Sequence, residues 1–93
     1  RGELVERQAA SIYKQGEQAR AAGQSREAVD HFARVATVAP QSTVRATAQY
    51  DAAAALIGLK DWDGAARALE DFRQRFPTHP LQPEVGGKLA VVY

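Results

Sequence analysis

The chain has 93 residues, enough for one domain, and its 45% hydrophobic and 25% charged residues are typical of a globular protein. Its 12 basic and 11 acidic residues are mixed along the sequence, so the net charge of +1 predicts neither nucleic acid nor an anionic membrane surface as a partner. The chain contains no cysteine, which excludes disulfides, and no apolar run approaches the roughly 20 residues that span a bilayer. It also contains no methionine, so we expect it to be part of a longer protein.

The first part of the chain predicts two helices separated by a glycine. Between Glu3 and Ala22, apolar and small residues recur at the three-and-four spacing of one helix face. Gly23 follows the last periodic residue, where a glycine commonly ends a helix. The same spacing predicts a second helix over Ser25–Val38, and Pro40 ends it because proline cannot continue the backbone hydrogen-bond ladder.

The middle of the chain predicts a second pair of helices. Ser42 or Thr43 is suited to cap the third helix, which extends to about Leu59. Asp61 is the predicted N-cap of the fourth helix. We expect Trp62, the bulky residue that opens this helix, to be buried between helices.

A proline-rich loop and one more helix complete the chain. Pro77 ends the fourth helix, and residues 78–83 form a loop with two further prolines. A fifth helix is predicted to start near Glu84, with Pro83 in its first turn, and to reach Tyr93. No segment alternates β-branched and polar residues, so we predict no strands.

The sequence matches itself when it is shifted by 37 residues. The aligned pairs are Ala9 with Ala46, Tyr13 with Tyr50, Ala28 with Ala65, Pro40 with Pro77, and Ala53 with Ala90. Small, aromatic and proline residues thus recur in the same order. A fixed period of about 20–50 residues is typical of stacked repeat proteins, which usually present a surface to a partner.

The repeating residues resemble the tetratricopeptide repeat (TPR) family, whose unit has about 34 residues. The matching positions are Gly16, Gly23, Ala28, Phe32 and Pro40 in the first unit, Ala53, Ala65, Leu69 and Pro77 in the second, and Leu89, Ala90 and Tyr93 in the third. Lys60 in place of the turn glycine, and Leu69 in place of an aromatic residue, depart from the pattern.

The resemblance implies an all-α fold of antiparallel helical hairpins, stacked as a short right-handed TPR superhelix of five helices. The chain would hold about two and a half repeats. Repeat 1 would cover about residues 3–40, repeat 2 about 42–77, and the first helix of repeat 3 about 83–93.

The loop Phe76–Leu81 and the period longer than 34 residues resemble one TPR subclass of bacterial envelope proteins. This subclass includes the periplasmic coordinator associated with the Tol-Pal system and the lipoprotein of the outer-membrane β-barrel assembly machine. The resemblance implies an adaptor that binds a protein or peptide partner, with no enzymatic activity. It also implies a location in the periplasm or cell envelope of a bacterium.

In the TPR family the first helix of each hairpin, the A helix, lines a concave groove. The family's groove positions correspond here to Ala10, Tyr13, Glu17, Arg20, Ala21, Thr47, Tyr50, Ala54, Ile57, Gly58, Glu84 and Val91. We expect Tyr13, Glu17, Arg20, Tyr50, Ala54 and Ile57 to form the protein-binding site. The two tyrosines are one repeat apart, and they either contact a bound segment or pack between the A helices.

No catalytic, cofactor or metal site is predicted. The segment Asp61–Gly64 has two acidic residues but lacks the further oxygen ligands of a calcium loop, and a helix N-cap accounts for them. His31 and His79 are far apart and have no cysteine to join them as ligands.

Self-association, or a passive spacer role in a larger protein, is the alternative to a binding groove. The fifth helix lacks a following partner helix, so we expect an exposed apolar face that a second copy of the chain would cover. The residues of that face are Val85, Leu89, Val92 and Tyr93.

Overall fold

In the part of the chain that the structure describes, five α-helices form the fold. The computed structural model describes residues 2–40, 42 and 44–93. In chain order the helices are α1 (Gly2–Ala21), α2 (Ser25–Val38), α3 (Val44–Gly58), α4 (Trp62–Arg75) and α5 (Gln82–Val92). Across these described ranges there is no strand, which confirms the all-α prediction.

The turn between α1 and α2 explains why Gly23 ends the first helix. Gly23 has a φ of 81°, in the left-handed region that favours glycine. Its backbone N–H donates to the carbonyl of Arg20 at 3.1 Å, and the N–H of Gln24 donates to the carbonyl of Ala19 at 2.8 Å. These two bonds satisfy carbonyls that the helix end would otherwise leave without a partner.

The turn between α3 and α4 repeats this geometry with a lysine in the glycine position. Lys60 has a φ of 62°, and its N–H donates to the carbonyl of Ile57 at 2.9 Å. The N–H of Asp61 donates to the carbonyl of Leu56 at 2.9 Å. A side chain in the left-handed region costs roughly 1–2 kcal/mol, so this turn carries strain that the first turn avoids.

The helices form two layers. Helix α2 packs against both α1 and α3, helix α4 packs against both α3 and α5, and α1 also contacts α3. The odd-numbered helices lie side by side, since α1 contacts α3 and Tyr50 of α3 contacts Glu84 of α5, and the even-numbered helices form the second layer. The overall extents are 40 × 32 × 17 Å, and the shortest dimension accommodates two layers of packed helices.

The core consists of two clusters, one for each hairpin with the helix that follows it. The first cluster contains Ala9, Ile12, Ala19, Ala28, Phe32, Val35, Ala39, Ala48 and Ala52. The second contains Ala46, Ala53, Leu69, Phe72, Val85 and Leu89. Helix α3 contributes to both clusters, and its alanines let it pack closely against helices on both sides.

The predicted cap of α4 agrees with the structure, and Ser42 forms hydrogen bonds close to the start of α3. The Asp61 carboxylate accepts a hydrogen bond from the N–H of Gly64 at 3.1 Å, which confirms Asp61 as the N-cap of α4. The Ser42 hydroxyl is buried, accepts from the N–H of Val44 at 3.0 Å and donates to the carboxylate of Glu6 at 2.7 Å. Thr43, the alternative cap of the third helix, lies outside the described residues.

The prediction that Trp62 is buried is wrong, since 43% of the residue is exposed. Trp62 is the first residue of α4. Side chains on a helix lean toward its N-terminus, so a residue at the first helical position has no preceding turn of its own helix to cover it.

The predicted apolar face of α5 is also largely wrong. Val85 and Leu89 are 0% and 4% exposed, because they pack in the second core cluster with residues of α3 and α4. Val92 is partly buried against the same cluster. Only Tyr93 of the four expected residues is exposed, at 79%, and its hydroxyl donates to Glu70 at 2.9 Å. The basis for self-association through this face is therefore lost.

Candidate functional site

The six predicted groove residues lie on two neighbouring helices. Tyr13, Glu17 and Arg20 belong to α1, and Tyr50, Ala54 and Ile57 belong to α3. Glu17 and Arg20 are exposed, whereas the two tyrosines, Ala54 and Ile57 are half-buried. Since α1 contacts α3, these side chains share one layer of the fold.

Tyr13 of α1 contacts α2 through its ring and α3 through its hydroxyl. The ring packs on Phe32 of α2, with 5.4 Å between the centroids. The hydroxyl donates to the carboxylate of Asp51 on α3. Burial, followed by the hydrogen bond to Asp51, raises the pKa of Tyr13 far above its usual value. The phenol is therefore a neutral donor throughout the physiological pH range.

Asp51 also contacts Arg20, so one carboxylate receives two groups from α1. Arg20 Nη1 lies 3.9 Å from Asp51 Oδ1. Nearly half of the Arg20 side chain is exposed, so this ion pair adds little to stability. Its consequence is positional, because it keeps the guanidinium near both tyrosines, where its charge opposes the increase in their pKa values.

Tyr50 occupies the equivalent place one repeat later, with different partners. Its ring meets Phe72 of α4 edge-on, with 6.4 Å between centroids. Its hydroxyl lies 3.5 Å from the carboxylate of Glu84 on α5, and Lys88 Nζ lies 5.4 Å from the ring centroid. Burial, followed by the negative charge of Glu84, raises the pKa of Tyr50.

Asp51 and Lys88 are the residues of this surface that the sequence analysis missed. Each lies 38 positions after an A-helix tyrosine, Asp51 after Tyr13 and Lys88 after Tyr50. The repeat period indicates both positions. A residue 38 positions after an A-helix tyrosine lies on the next A helix and contacts that tyrosine. The carboxylate of Asp51 in the second unit is thus replaced by the ammonium group of Lys88 in the third.

Ala54 and Ile57 supply the apolar part of the surface. Both are half-buried, and Ile57 packs at the edge of the second core cluster. The surface on α1 and α3 therefore combines exposed charges, two aromatic rings and a small apolar patch. This mixture is typical of a protein-binding surface, in which aromatic anchors are surrounded by polar groups.

Of the two histidines, His79 has a structural partner, whereas the buried Nδ1 of His31 has no hydrogen-bond partner among the described residues. The His79 Nδ1 accepts from the N–H of Leu81 at 3.1 Å, and its ring packs against Phe72 with 5.3 Å between centroids. Within the described residues, no group of three or more His, Cys, Asp or Glu side chains could hold a metal ion. Likewise, none of the described helices is long and apolar enough to cross a membrane.

The fold is that of a helical-repeat protein of the tetratricopeptide type. Three features define it: helical hairpins in two layers, closely packed small residues, and a tyrosine that recurs on the A helices. The chain belongs to the YfiO family of outer membrane lipoproteins, whose family model matches residues 5–86. The predicted assignment to an envelope-associated TPR-like family is thus confirmed. No curated protein and no solved structure matches the chain significantly.

Proposed function

We propose that the chain is a protein-binding module whose A-helix surface holds a segment of a partner protein. The A-helix surface comprises Tyr13, Glu17, Arg20, Tyr50, Ala54 and Ile57, together with Asp51 between them. Support comes from the contacts around Asp51, which bring an aromatic ring and a cation from α1 onto α3. Membership of a TPR-like family is the second support.

The surface binds with little rearrangement in this proposal. Tyr13 and Arg20 are already held by Asp51, so their ordering cost is met within the folded chain before the partner arrives. The exposed charges of Glu17 and Arg20 set the direction and register of the bound segment. Ile57 and Ala54 receive an apolar side chain of the partner, which supplies the larger part of the affinity.

The proposed location follows from the family. Membership of an outer membrane lipoprotein family supports a position at the bacterial envelope. The proposal puts the module on the periplasmic side, where it would have access to other envelope proteins. The proposed role is that of an adaptor that acts by binding other proteins, which membership of a TPR-like family supports.

Site-specific photo-crosslinking in bacterial cells tests the proposal. A photoreactive phenylalanine analogue replaces Glu17 or Ile57 on the A-helix surface, and the matched control replaces Asp30, which is exposed on α2. Discrete adducts with another envelope protein at Glu17 and Ile57, but not at Asp30, are expected.

A charge reversal tests whether those adducts depend on the A-helix surface. The substitution Arg20→Glu places a negative charge beside Asp51 and should remove or strongly weaken the adduct formed at Glu17, while the thermal unfolding temperature changes little. Adducts that form equally at all three positions, or only with a second copy of the chain, would contradict binding at the A-helix surface.

A further inference from the structure

A cleft lies on the other layer of the molecule, between α2 and α4, with α3 as its floor. Its volume is about 370 Å³. Four alanines line it: Ala33 and Ala36 of α2, Ala52 of α3 and Ala68 of α4. We call this concavity the outer cleft. Its deeper walls are Phe32 and Leu56, both of which are buried.

The four alanines explain why the outer cleft is open. Helices α2 and α4 each pack on α3, so the space between them has to be filled by side chains from their facing sides. Alanine methyl groups are too short to fill it, which leaves apolar walls without contact partners. The volume is at the low end of the range for ligand sites, about 300–1,000 Å³, and suits one or two large side chains.

Arg45 supplies an unused hydrogen-bond donor at the outer cleft. Its Nη1 donates to the carbonyl of Pro40 at 3.0 Å. Its Nε is buried and has no hydrogen-bond partner among the described residues. A buried N–H of a charged group that lacks an acceptor is unfavourable, and an incoming acceptor would remove that cost.

The acidic residue of the outer cleft does not meet this need. The Asp71 carboxylate accepts from Arg75 Nε at 2.8 Å and from Gln49 Nε2 at 2.8 Å. Burial raises the pKa of Asp71, but the hydrogen bonds from Gln49 and Arg75, together with the positive charges of Arg75 and Arg45, outweigh it and the pKa is lowered. Arg67 lies at the same cleft, is exposed and forms no ion pair with a described residue. The charge left without a partner at the outer cleft is therefore positive.

We infer that the outer cleft docks a segment of a partner protein in which a large apolar side chain is adjacent to an aspartate or glutamate. The apolar side chain fills the space between the alanines. The carboxylate accepts a hydrogen bond from Arg45 Nε and pairs with Arg67. This contact is a second interface, on the opposite layer from the A-helix surface, and it does not depend on the proposed function of that surface.

Selection from a displayed library of random peptides tests the inference without a known partner. The immobilised chain is the target, and the competitor in solution is the double variant Ala33→Leu, Ala68→Leu, whose added side chains fill the outer cleft. Enriched peptides are expected to place an aromatic or branched aliphatic residue next to an acidic one. Peptides that bind the filled variant equally well, or that lack the acidic residue, would overturn the inference.

The affinity of one enriched peptide, measured by fluorescence anisotropy, separates the apolar contribution to binding from the ionic contribution. Arg67→Met, and the exchange of the acidic residue of the peptide for its amide, should each weaken binding about ten-fold. The matched control is Arg34→Met, which changes an exposed arginine of α2 outside the outer cleft and should leave the affinity unchanged. A full effect of the control, or none of Arg67→Met, would refute the ionic contact.

Two more measurements distinguish a loss of peptide binding at the outer cleft from unfolding of the chain and from binding at the A-helix surface. Every variant is compared with the parent chain by its thermal unfolding temperature, and only variants that unfold at a similar temperature are interpreted. Ile57→Ala on the A-helix surface should leave the affinity of the enriched peptide within about two-fold of the parent value. A loss of binding in that variant would place the peptide on the A-helix surface and overturn the assignment to the outer cleft.

Discussion

Phe32 of α2 lies directly over Gly16 of α1, so close that a Cβ at Gly16 would be 2.5 Å from Cε1 of the ring. One repeat later the same pair of positions holds Ala53 and Leu69, which are both fully buried in the second core cluster. The hairpin with the larger residue on its A helix thus has the smaller side chain on its second helix. The two hairpins both pack closely, but they divide the side-chain volume differently between the two facing positions.

The first prediction concerns Gly16→Ala. Alanine normally stabilises a helix interior by roughly 1 kcal/mol over glycine. Here the added methyl group would displace a ring that is only 1% exposed, so we expect the free energy of unfolding to fall by about 1–3 kcal/mol. Urea denaturation measures the change. The matched control is Gly87→Ala in α5, where nothing lies within 4 Å of the added Cβ, and it should raise stability by about 0.5–1 kcal/mol.

A double variant tests whether the clash with Phe32 causes the loss. Gly16→Ala combined with Phe32→Leu reproduces the Ala53–Leu69 pair of the second hairpin. The double variant should be more stable than the sum of the two single effects by about 1 kcal/mol or more. Simple additivity of the two effects would show that the contact between the two side chains does not limit this position.

The helices were predictable because the features that define them are local in sequence. Spacing along one helix face, Gly23 at the first turn and Asp61 at the N-cap of α4 each act within a few residues. The errors concern Trp62 and the apolar face of α5, since burial there depends on which distant elements cover a side chain. A hydrophobic side chain identifies a candidate for burial, but its neighbours decide whether it is buried.

The candidate site was predictable to a smaller extent for the same reason. The repeated tyrosines were visible as equivalent positions, and the structure finds both half-buried on neighbouring helices. Asp51 was not identified, because a single carboxylate in an A helix has no local signature. Its importance comes from Tyr13 and Arg20, which are more than 30 positions away in the sequence. The outer cleft was not predictable, because the spacing of alanines indicates that helices pack closely but does not indicate where short side chains leave a gap between two helices.

The second prediction uses the two equivalent turns. Lys60 and Gly23 both adopt a positive φ, but only glycine does so without a steric cost. Lys60→Gly should therefore raise the free energy of unfolding by about 0.5–1 kcal/mol, whereas Gly23→Ala should lower it by about 1 kcal/mol. Thermal and urea unfolding of both variants measure the changes. A loss of stability in Lys60→Gly would show that the lysine side chain makes a compensating contact at this turn.

The third prediction concerns the alkaline pH dependence of stability. The pKa of Tyr13 is raised in the folded chain, whereas in the unfolded chain it is near the ordinary value of about 10. The stabilisation from this shift is complete below that value, and it is lost as the pH rises above it, because the unfolded state then releases the proton first. Between pH 9 and 11 the parent chain should therefore lose more stability than Tyr13→Phe. Tyr93→Phe is the comparison: the hydrogen bond to Glu70 also raises the pKa of Tyr93, but its phenol is exposed, so this variant should change the slope less than Tyr13→Phe does. Equal slopes for the parent chain and Tyr13→Phe would contradict a buried, hydrogen-bonded phenol.

The fourth prediction separates the two sides of α5. Leu89 is buried against α3 and α4, whereas Val91, two positions later, is 68% exposed. Leu89→Ala should lower the free energy of unfolding by about 2–4 kcal/mol, since it removes buried methyl groups and leaves a cavity. Val91→Ala should change it by less than about 0.5 kcal/mol. Urea denaturation compares the two variants. Similar small effects would mean that α5 is not docked on the second core cluster in solution. In that case Val85 and Leu89 would become available to a second copy of the chain, and sedimentation at increasing concentration would detect the dimer.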